Sequence, residues 1–341
     1  MTFKQCLTKQ LELHPAMQQQ DLLKLCFQAA FGAEHLIENH QYARAVLEEE
    51  FASVPAEDLL LYEEISDEVI RINLAAWKFR NLPVDWLLNI FISSAKQRQS
   101  GMEKFNEYIN ECRTVTDASA WDGFICNYMQ DGLRPIHHSD YYREKEKPSY
   151  RLANKSYVRI FPVLEEIAKS TSEPCVIAID GRAASGKSTI AGELSAIVNA
   201  DVIHMDDFFL PLTLRNAERL TEAGGNIHYE RFIEEVIPKI SAIDGFSYQV
   251  FSCSKMDFDG RREISSAHCR IVEGVYCLHP KFGDYADVTV FSDVDPKLQM
   301  ERIVKRDGPR FAERFSSSWI PMEEQYFNIY KIEEKCKLHI K

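Results

Sequence analysis

The fold is decided by the stretch Asp180-Gly181-Arg182-Ala183-Ala184-Ser185-Gly186-Lys187-Ser188-Thr189, which matches the pattern G-x-x-x-x-G-K-[ST]. The apolar residues 175–179 come directly before it and are typical of a strand buried on both faces. Residues 190–194 follow as a predicted helix. Glycines let main-chain N–H groups turn inward on phosphate oxygens, and the N-terminus of the helix faces the same anion. The stretch therefore predicts a loop that binds a nucleoside triphosphate.

Each residue type in this loop has an expected role. Lys187 reaches the β and γ phosphates, and the Ser188 hydroxyl coordinates Mg²⁺. The predicted nucleotide-binding residues of the loop are Gly181, Ala183, Ala184, Ser185, Gly186, Lys187, Ser188 and Thr189. ATP and Mg²⁺ are thus the expected cofactors, and GTP stays open as the donor.

Two adjacent acids follow the next apolar run, at Asp206 and Asp207. Ligands of open α/β sheets bind at the carboxyl ends of the strands, where these acids are expected. A kinase that phosphorylates a hydroxyl needs a carboxylate to accept the attacking proton, and either acid can fill that role. The alternative is that they only cap the following turn.

A further acid, Glu273, ends the apolar run 270–272. A carboxylate at this position can hold Mg²⁺ directly or through its water shell. The alternative is a buried glutamate with a local partner.

Basic residues are concentrated between Arg302 and Arg314 in a chain that is acidic overall. Arginines on a closing segment can stabilise charge on a transferred phosphoryl group. We expect two of the four arginines to be functional, with Arg302 and Arg306 favoured as catalytic groups and Arg310 assigned to the nucleotide.

These segments together resemble the uridine kinase and phosphoribulokinase branch of the P-loop kinases. The resemblance rests on residues 181–188, 205–209, 271–276 and 302–314, and it spans about 174–337. It implies an ATP-dependent kinase with Asp206 as catalytic base and Mg²⁺ neighbour. It also implies that Glu273 and Ser188 are the partners of Mg²⁺.

The acceptor is less closely specified. By the resemblance, Asp207, His228 and Tyr248 are the candidate substrate-binding residues. His228 stands near a position where uridine kinases place an aspartate, and Cys253 stands where they place a histidine. The expected acceptor is a nucleoside, with a sugar phosphate, pantothenate or glycerate as alternatives.

The first half of the chain has a helical spacing of apolar residues. Apolar spacing predicts helices at about 22–30, 41–51, 64–80, 83–91, 101–113, 118–130 and 155–170, and no strand alternation is evident. Residues 131–152 are interpreted as an exposed loop, and its part 137–151, which carries His, Tyr and Arg side chains, could bind an effector or dock against the kinase cleft. His14, His35, His137 and His138 lack ligand spacing and are interpreted as hydrogen-bonded structural residues.

The expected fold class is therefore α/β, a P-loop kinase-type parallel sheet sandwiched by helices, preceded by a mainly α-helical N-terminal domain. The expected domains are 1–172, of unknown role, and 173–341. A chain of 341 residues fits two domains.

Composition excludes several classes of protein. A net charge of −12 argues against nucleic-acid or membrane-surface binding. The apolar run 86–92 is far shorter than a bilayer span, residues 1–6 lack a secretory pattern, and the nine cysteines form no C-x-x-C pair. We therefore expect a cytoplasmic protein, with oligomerisation left open.

Two other functional classes remain. An ATP-driven switch could act through the helical domain, whereas a GTPase would need an Asn-Lys-x-Asp element downstream of the loop, and none is present. A binding module without turnover is disfavoured because Lys187, Ser188, Asp206 and Glu273 are all intact.

Overall fold

The structure is a computed structural model that describes residues 1–33, 39–96, 101–130 and 132–341. The chain divides into two compact units, Met1–Val158 and Arg159–Lys341. The domain boundary expected at 172/173 stays a prediction. His35 lies outside the described residues. In the part of the chain that the structure describes, no helix is both long and apolar enough to cross a bilayer.

The first unit is mainly helical. Its helices are α1 (Phe3–Leu13), α2 (Gln19–Phe31), α3 (His40–Ser53), α4 (Leu74–Phe79), α5 (Val84–Lys96), α6 (Met102–Arg113), α7 (Ala118–Gln130) and α8 (Asp140–Glu146). Its strands are β1 (Tyr62–Glu64), β2 (Val69–Asn73) and β3 (Tyr150–Asn154), which form an antiparallel sheet in the order β1-β2-β3. The apolar face predicted for α2 packs into the core of this unit.

Two expectations for this unit are wrong. The segment 64–80 is not one helix, because β2 occupies its middle. β2 is buried along nearly its whole length, so it lacks the alternation that reveals a half-exposed strand. The segment 131–152 is not simply an exposed loop. It contains α8, whose N-cap residue Ser139 accepts a hydrogen bond from the Tyr142 N–H at 3.1 Å, and it buries His138, Ser139 and Tyr142.

The second unit is an α/β fold. After a 3₁₀ segment (Lys155–Ile160), its helices are α9 (Phe161–Lys169), α10 (Lys187–Val198), α11 (Ala217–Thr221), α12 (Tyr229–Glu235), α13 (Ile237–Ile240), α14 (Pro296–Asp307), α15 (Pro309–Arg314), α16 (Ile320–Tyr330) and α17 (Ile332–Lys335). Its strands are β4 (Cys175–Gly181), β5 (Asp201–His204), β6 (Phe246–Ser252), β7 (Asp257–Ile264), β8 (Cys269–Glu273), β9 (Val288–Ser292) and β10 (Leu338–Ile340).

Five of these strands form a parallel sheet in the order β10-β9-β4-β8-β5. The predicted parallel sheet with flanking helices is thus confirmed. Strand β6 lies outside this sheet and pairs with β7 in a separate antiparallel hairpin. Because β4, β8 and β5 are neighbours, the segments that follow them emerge side by side at one edge of the sheet.

Candidate active site

The loop between β4 and α10 has the backbone that its glycines predict. Gly181 has φ +138°, and a Cβ there would lie 2.0 Å from the carbonyl oxygen of Ser292 on β9, so only glycine fits. Gly186 has φ +105° and caps the N-terminus of α10, and a Cβ there would meet nothing within 4 Å. The space beside Gly186 is therefore open, at the end of a helix of 12 residues whose first N–H groups attract anions.

Polar groups of the loop are arranged around this space. The ammonium of Lys187 is buried and donates to the carbonyls of Gly181 and Arg182, each at 2.8 Å. The hydroxyl of Ser185 is buried and has no hydrogen-bond partner within the described residues. A buried hydroxyl without a partner is costly, which fits a site completed by a bound anion.

The main-chain N–H and carbonyl of Ala183 are both hydrogen-bonded to side chains of other helices. Its N–H donates to the carboxylate of Glu323 at 3.0 Å, and its carbonyl accepts from Gln299 at 3.0 Å. Its main chain is thus already engaged by α16 and α14. Thr189 is exposed at the start of α10.

Ser188 faces an acid across the sheet edge. Its hydroxyl lies 3.2 Å from both carboxylate oxygens of Glu273, the last residue of β8. Glu273 is 6% exposed and also accepts from His204 Nδ1 at 2.6 Å. His204 ends β5 and is the register partner of Glu273. The sequence placed Ser188 and Glu273 in one magnesium site, and the structure brings them together.

The donor set of this pair suits the predicted cation. Hydroxyl and carboxylate oxygens are ligands that Mg²⁺ prefers, and nucleotide phosphates and waters commonly complete its shell. Within the described residues, no group of three or more His, Cys, Asp or Glu side chains is placed to hold a metal ion by itself. Ser188 and Glu273 are thus suited to a cation that arrives with the nucleotide.

Asp206 lies at the same edge, in the 3₁₀ turn that follows β5. Asp206 is exposed to solvent. The protein atoms crowded around it, followed by the charge of Glu273, raise the pKa of its carboxyl above the ordinary value, against the opposing charge of Lys187. A solvent-exposed carboxylate with a raised pKa is suited to accept a proton.

Asp207 points into the protein instead. Its carboxylate is buried and accepts from the Tyr248 hydroxyl at 2.9 Å and from Arg262 Nε at 2.9 Å. Tyr248 is itself fully buried, and its hydroxyl also lies 3.4 Å from the main-chain N–H of His204. The two residues assigned to the substrate by resemblance therefore bind each other, tying the β6–β7 hairpin to the turn that carries Asp206.

The arginines between Arg302 and Arg314 that were predicted to be functional differ in their contacts. Arg302 on α14 donates to the carbonyls of Ala184 and Ser185, at 3.0 and 3.3 Å, so it reaches the phosphate loop. Arg306 is exposed and pairs with its neighbour Asp307 at 2.8 Å. Arg310 is exposed at the start of α15. One turn of π-helix, Phe315–Trp319, follows α15, and such turns are often found at functional sites.

The structure adds residues that the sequence did not indicate. Glu323 is 6% exposed, and burial raises the pKa of its carboxyl to about 7. Arg182 anchors the loop through Asp293, at 2.7 Å, and Glu324, at 2.7 Å. His204 was also missed, although its place at the end of an apolar run was a usable signal. Glu323 and Glu324 lie more than a hundred residues from the loop, and no local pattern reveals such a pairing.

The segment expected to bind the acceptor lies beside a cavity. His228 is half-buried, and its Nδ1 has no hydrogen-bond partner within the described residues. Burial, followed by the charge of Arg231, lowers the pKa of His228. A cavity of about 570 Å³ is lined by Leu210, Leu214, Asn216, Glu218, Arg219, Thr221, Glu222, Tyr229 and Glu230. None of these residues belongs to the phosphate loop, so the cavity and the loop are separate features.

Comparison with known proteins adds the following. No protein-family model matches the chain. A solved structure described as a possible uridine kinase from Bacillus stearothermophilus is 18% identical, covers 55% of this chain and 100% of its own, and has a TM-score of 0.43. A second, described as a candidate kinase of a fructose transport system from Silicibacter sp., is 22% identical, covers 52% of this chain and 95% of its own, and has a TM-score of 0.44. Both likenesses span about half of the chain.

Proposed function

We propose that the chain is an ATP- and Mg²⁺-dependent phosphotransferase that moves the γ-phosphoryl group to a hydroxyl of a small metabolite. The observation that carries this proposal is the Ser188–Glu273 pair beside the loop that holds Lys187. Phosphoryl transfer needs little covalent chemistry from the protein, because positioning and charge stabilisation provide most of the catalysis.

Each group then has a defined task. The amides at Gly186 and the start of α10, with Lys187, bind the triphosphate. Bound Mg²⁺, held through Ser188 and Glu273, would neutralise charge on the phosphates. Asp206 orients the acceptor hydroxyl and takes its proton, and Arg302 stabilises charge from the side of the loop.

A nucleoside, as in uridine kinases, is the first candidate acceptor. The resemblance supports it, but the Tyr248 hydroxyl is engaged by Asp207, so a base would have to be recognised by other groups. A sugar phosphate, pantothenate and glycerate are therefore tested alongside it.

The test is an assay of ADP release with Mg·ATP and a panel of nucleosides, sugar phosphates, pantothenate and glycerate. We expect release that depends on one class of acceptor and disappears in K187A. The K187A variant is the control for contaminating kinases, because it removes only the loop ammonium. Slow ATP hydrolysis at a rate that no acceptor changes would instead favour an ATP-driven switch. A folded protein that fails to bind Mg·ATP at millimolar concentration would refute the proposal.

A further inference from the structure

Arg71, at the centre of the first unit, is a buried cation whose charge is not matched by a bonded acid. It lies in the middle of β2 and is 2% exposed. Its Nε and Nη2 donate to Gln28 Oε1 at 3.1 and 2.7 Å, and its Nη1 donates to Gln10 Oε1 at 3.0 Å. Both acceptors are neutral amides. In the described part of the chain, no carboxylate lies within ion-pair distance of Arg71, whereas buried charges are normally paired.

A second cation lies close to Arg71. Lys24 precedes Gln28 by one turn on α2 and is half-buried. Across the described ranges, its ammonium makes neither a hydrogen bond nor an ion pair. Burial, followed by the charges of Arg71 and Arg143, lowers the pKa of Lys24 to about 8. The positive charges of Lys24, Arg71 and Arg143 therefore repel one another, and of the three only Arg71 is fully buried.

The acids nearest to this place are already bound to other groups. The carboxylate of Asp21, one turn before Lys24, accepts from His138 Nδ1 at 2.8 Å and from the Ser139 hydroxyl at 2.7 Å. Glu63 accepts from His14 Nε2 at 3.0 Å and from Gln10 Nε2 at 2.8 Å. Their charges reduce the local excess of positive charge without contacting either cation.

The donors that remain define the chemistry of a ligand. Nη1 and Nη2 of Arg71 each keep a second N–H, and the Lys24 ammonium keeps all of its donors. The ring of Tyr150 packs against the Arg71 guanidinium, with its centre 4.7 Å away, and holds the fork in place. A fixed guanidinium beside a free ammonium suits a compact oxyanion.

We propose that Arg71 and Lys24, with Arg143 at the exposed rim, form a binding site for the phosphate or carboxylate group of a small anionic metabolite. The site lies wholly within Met1–Val158 and is independent of the kinase proposed above. It gives the first unit a ligand-binding role that the kinase reaction does not require.

The test measures the reactivity of Lys24 itself, so that anions bound at the phosphate loop do not interfere. The full-length protein is acetylated with an N-hydroxysuccinimide ester at pH 8, and the peptide containing Lys24 is quantified by mass spectrometry. The probes are inorganic phosphate and citrate, each compared with sodium chloride at equal ionic strength. The exposed Lys9 on α1 is the internal control.

We expect phosphate or citrate to slow acetylation of Lys24, by about tenfold when the anion is present at ten times its dissociation constant. Lys9 should be unaffected. R143Q should weaken the protection and R113Q should not, because Arg113 is exposed and pairs with Asp122. If neither anion protects Lys24 beyond the chloride sample, or if R113Q and R143Q behave alike, the proposal is overturned. Protection by one anion only would assign the site to that class.

Discussion

Replacing Glu323 by Gln should change how the stability of the second unit depends on pH. Glu323 lies on α16, 6% exposed, and accepts the Ala183 N–H of the phosphate loop at 3.0 Å. Gln keeps an oxygen for that hydrogen bond and carries no charge. The substitution therefore isolates the cost of ionising this carboxyl inside the protein.

The magnitude follows from the pKa. Burial raises the pKa of Glu323 from 4.5 to about 7. A carboxyl with a raised pKa contributes its full stability below the unfolded-state value and loses it as the pH rises through the folded-state value. At about 1.4 kcal/mol per pKa unit, the free energy of unfolding of the wild type should fall by up to about 3 kcal/mol between pH 4.5 and pH 8. E323Q should not show this fall, because its side chain does not ionise.

Hydrogen exchange of peptides from β4 is the appropriate assay, because it measures the opening of the second unit alone. The free energy of opening is compared for wild type and E323Q at pH 5 and pH 8, without nucleotide. The free energy of opening of E323Q should increase relative to that of the wild type as the pH rises. The control is E301Q, which removes an exposed carboxylate on α14 and should shift both values equally. A difference between E323Q and wild type that stays constant with pH would refute the reasoning.

The remaining predictions concern the sheet edge and its surroundings. D206N should keep Mg·ATP binding and lose turnover by about 10²-fold or more, and near-normal turnover would exclude Asp206 as the base. D207N leaves Arg262 without its acid and should lower the free energy of unfolding by about 2 kcal/mol. Y248F removes the hydroxyl that donates to Asp207 and lies 3.4 Å from the His204 main-chain nitrogen, but it leaves the Asp207–Arg262 pair in place and should cost about half as much; equal losses in calorimetry would contradict this difference. R302A should lower kcat/KM by about 100-fold, and R306A should have a smaller effect because Arg306 is exposed and pairs with Asp307; steady-state kinetics showing the reverse order would move the catalytic assignment to Arg306.

Local signals explain which parts of the fold and the site were predictable. The conformation of the loop between β4 and α10 was predictable because its strand, glycines and helix are contiguous in sequence. The place of Glu273 at the end of a strand was predictable because an apolar run precedes it directly.

What escaped prediction depends on long-range packing. The strand β2 is buried along nearly its whole length, so its pattern could not be distinguished from that of a helix. Asp207 and Asp206 are adjacent and chemically identical, and only the hairpin that carries Arg262 decides which of them faces inward. The contact between Glu323 and Ala183 joins positions that no sequence spacing relates.

The strand order β10-β9-β4-β8-β5 has a consequence for any attempt to divide the second unit. A cut in the turn between β6 and β7 would leave β4 and β5 on one fragment and β8, β9 and β10 on the other. Because β8 lies between β4 and β5, the first fragment would hold no neighbouring pair of parallel strands. In the intact sheet, β4 lies between β9 and β8, and β5 pairs with β8, so both strands of the first fragment pair only with strands of the second. We therefore expect that neither fragment forms the five-stranded sheet alone and that the sheet is restored only when the two fragments meet.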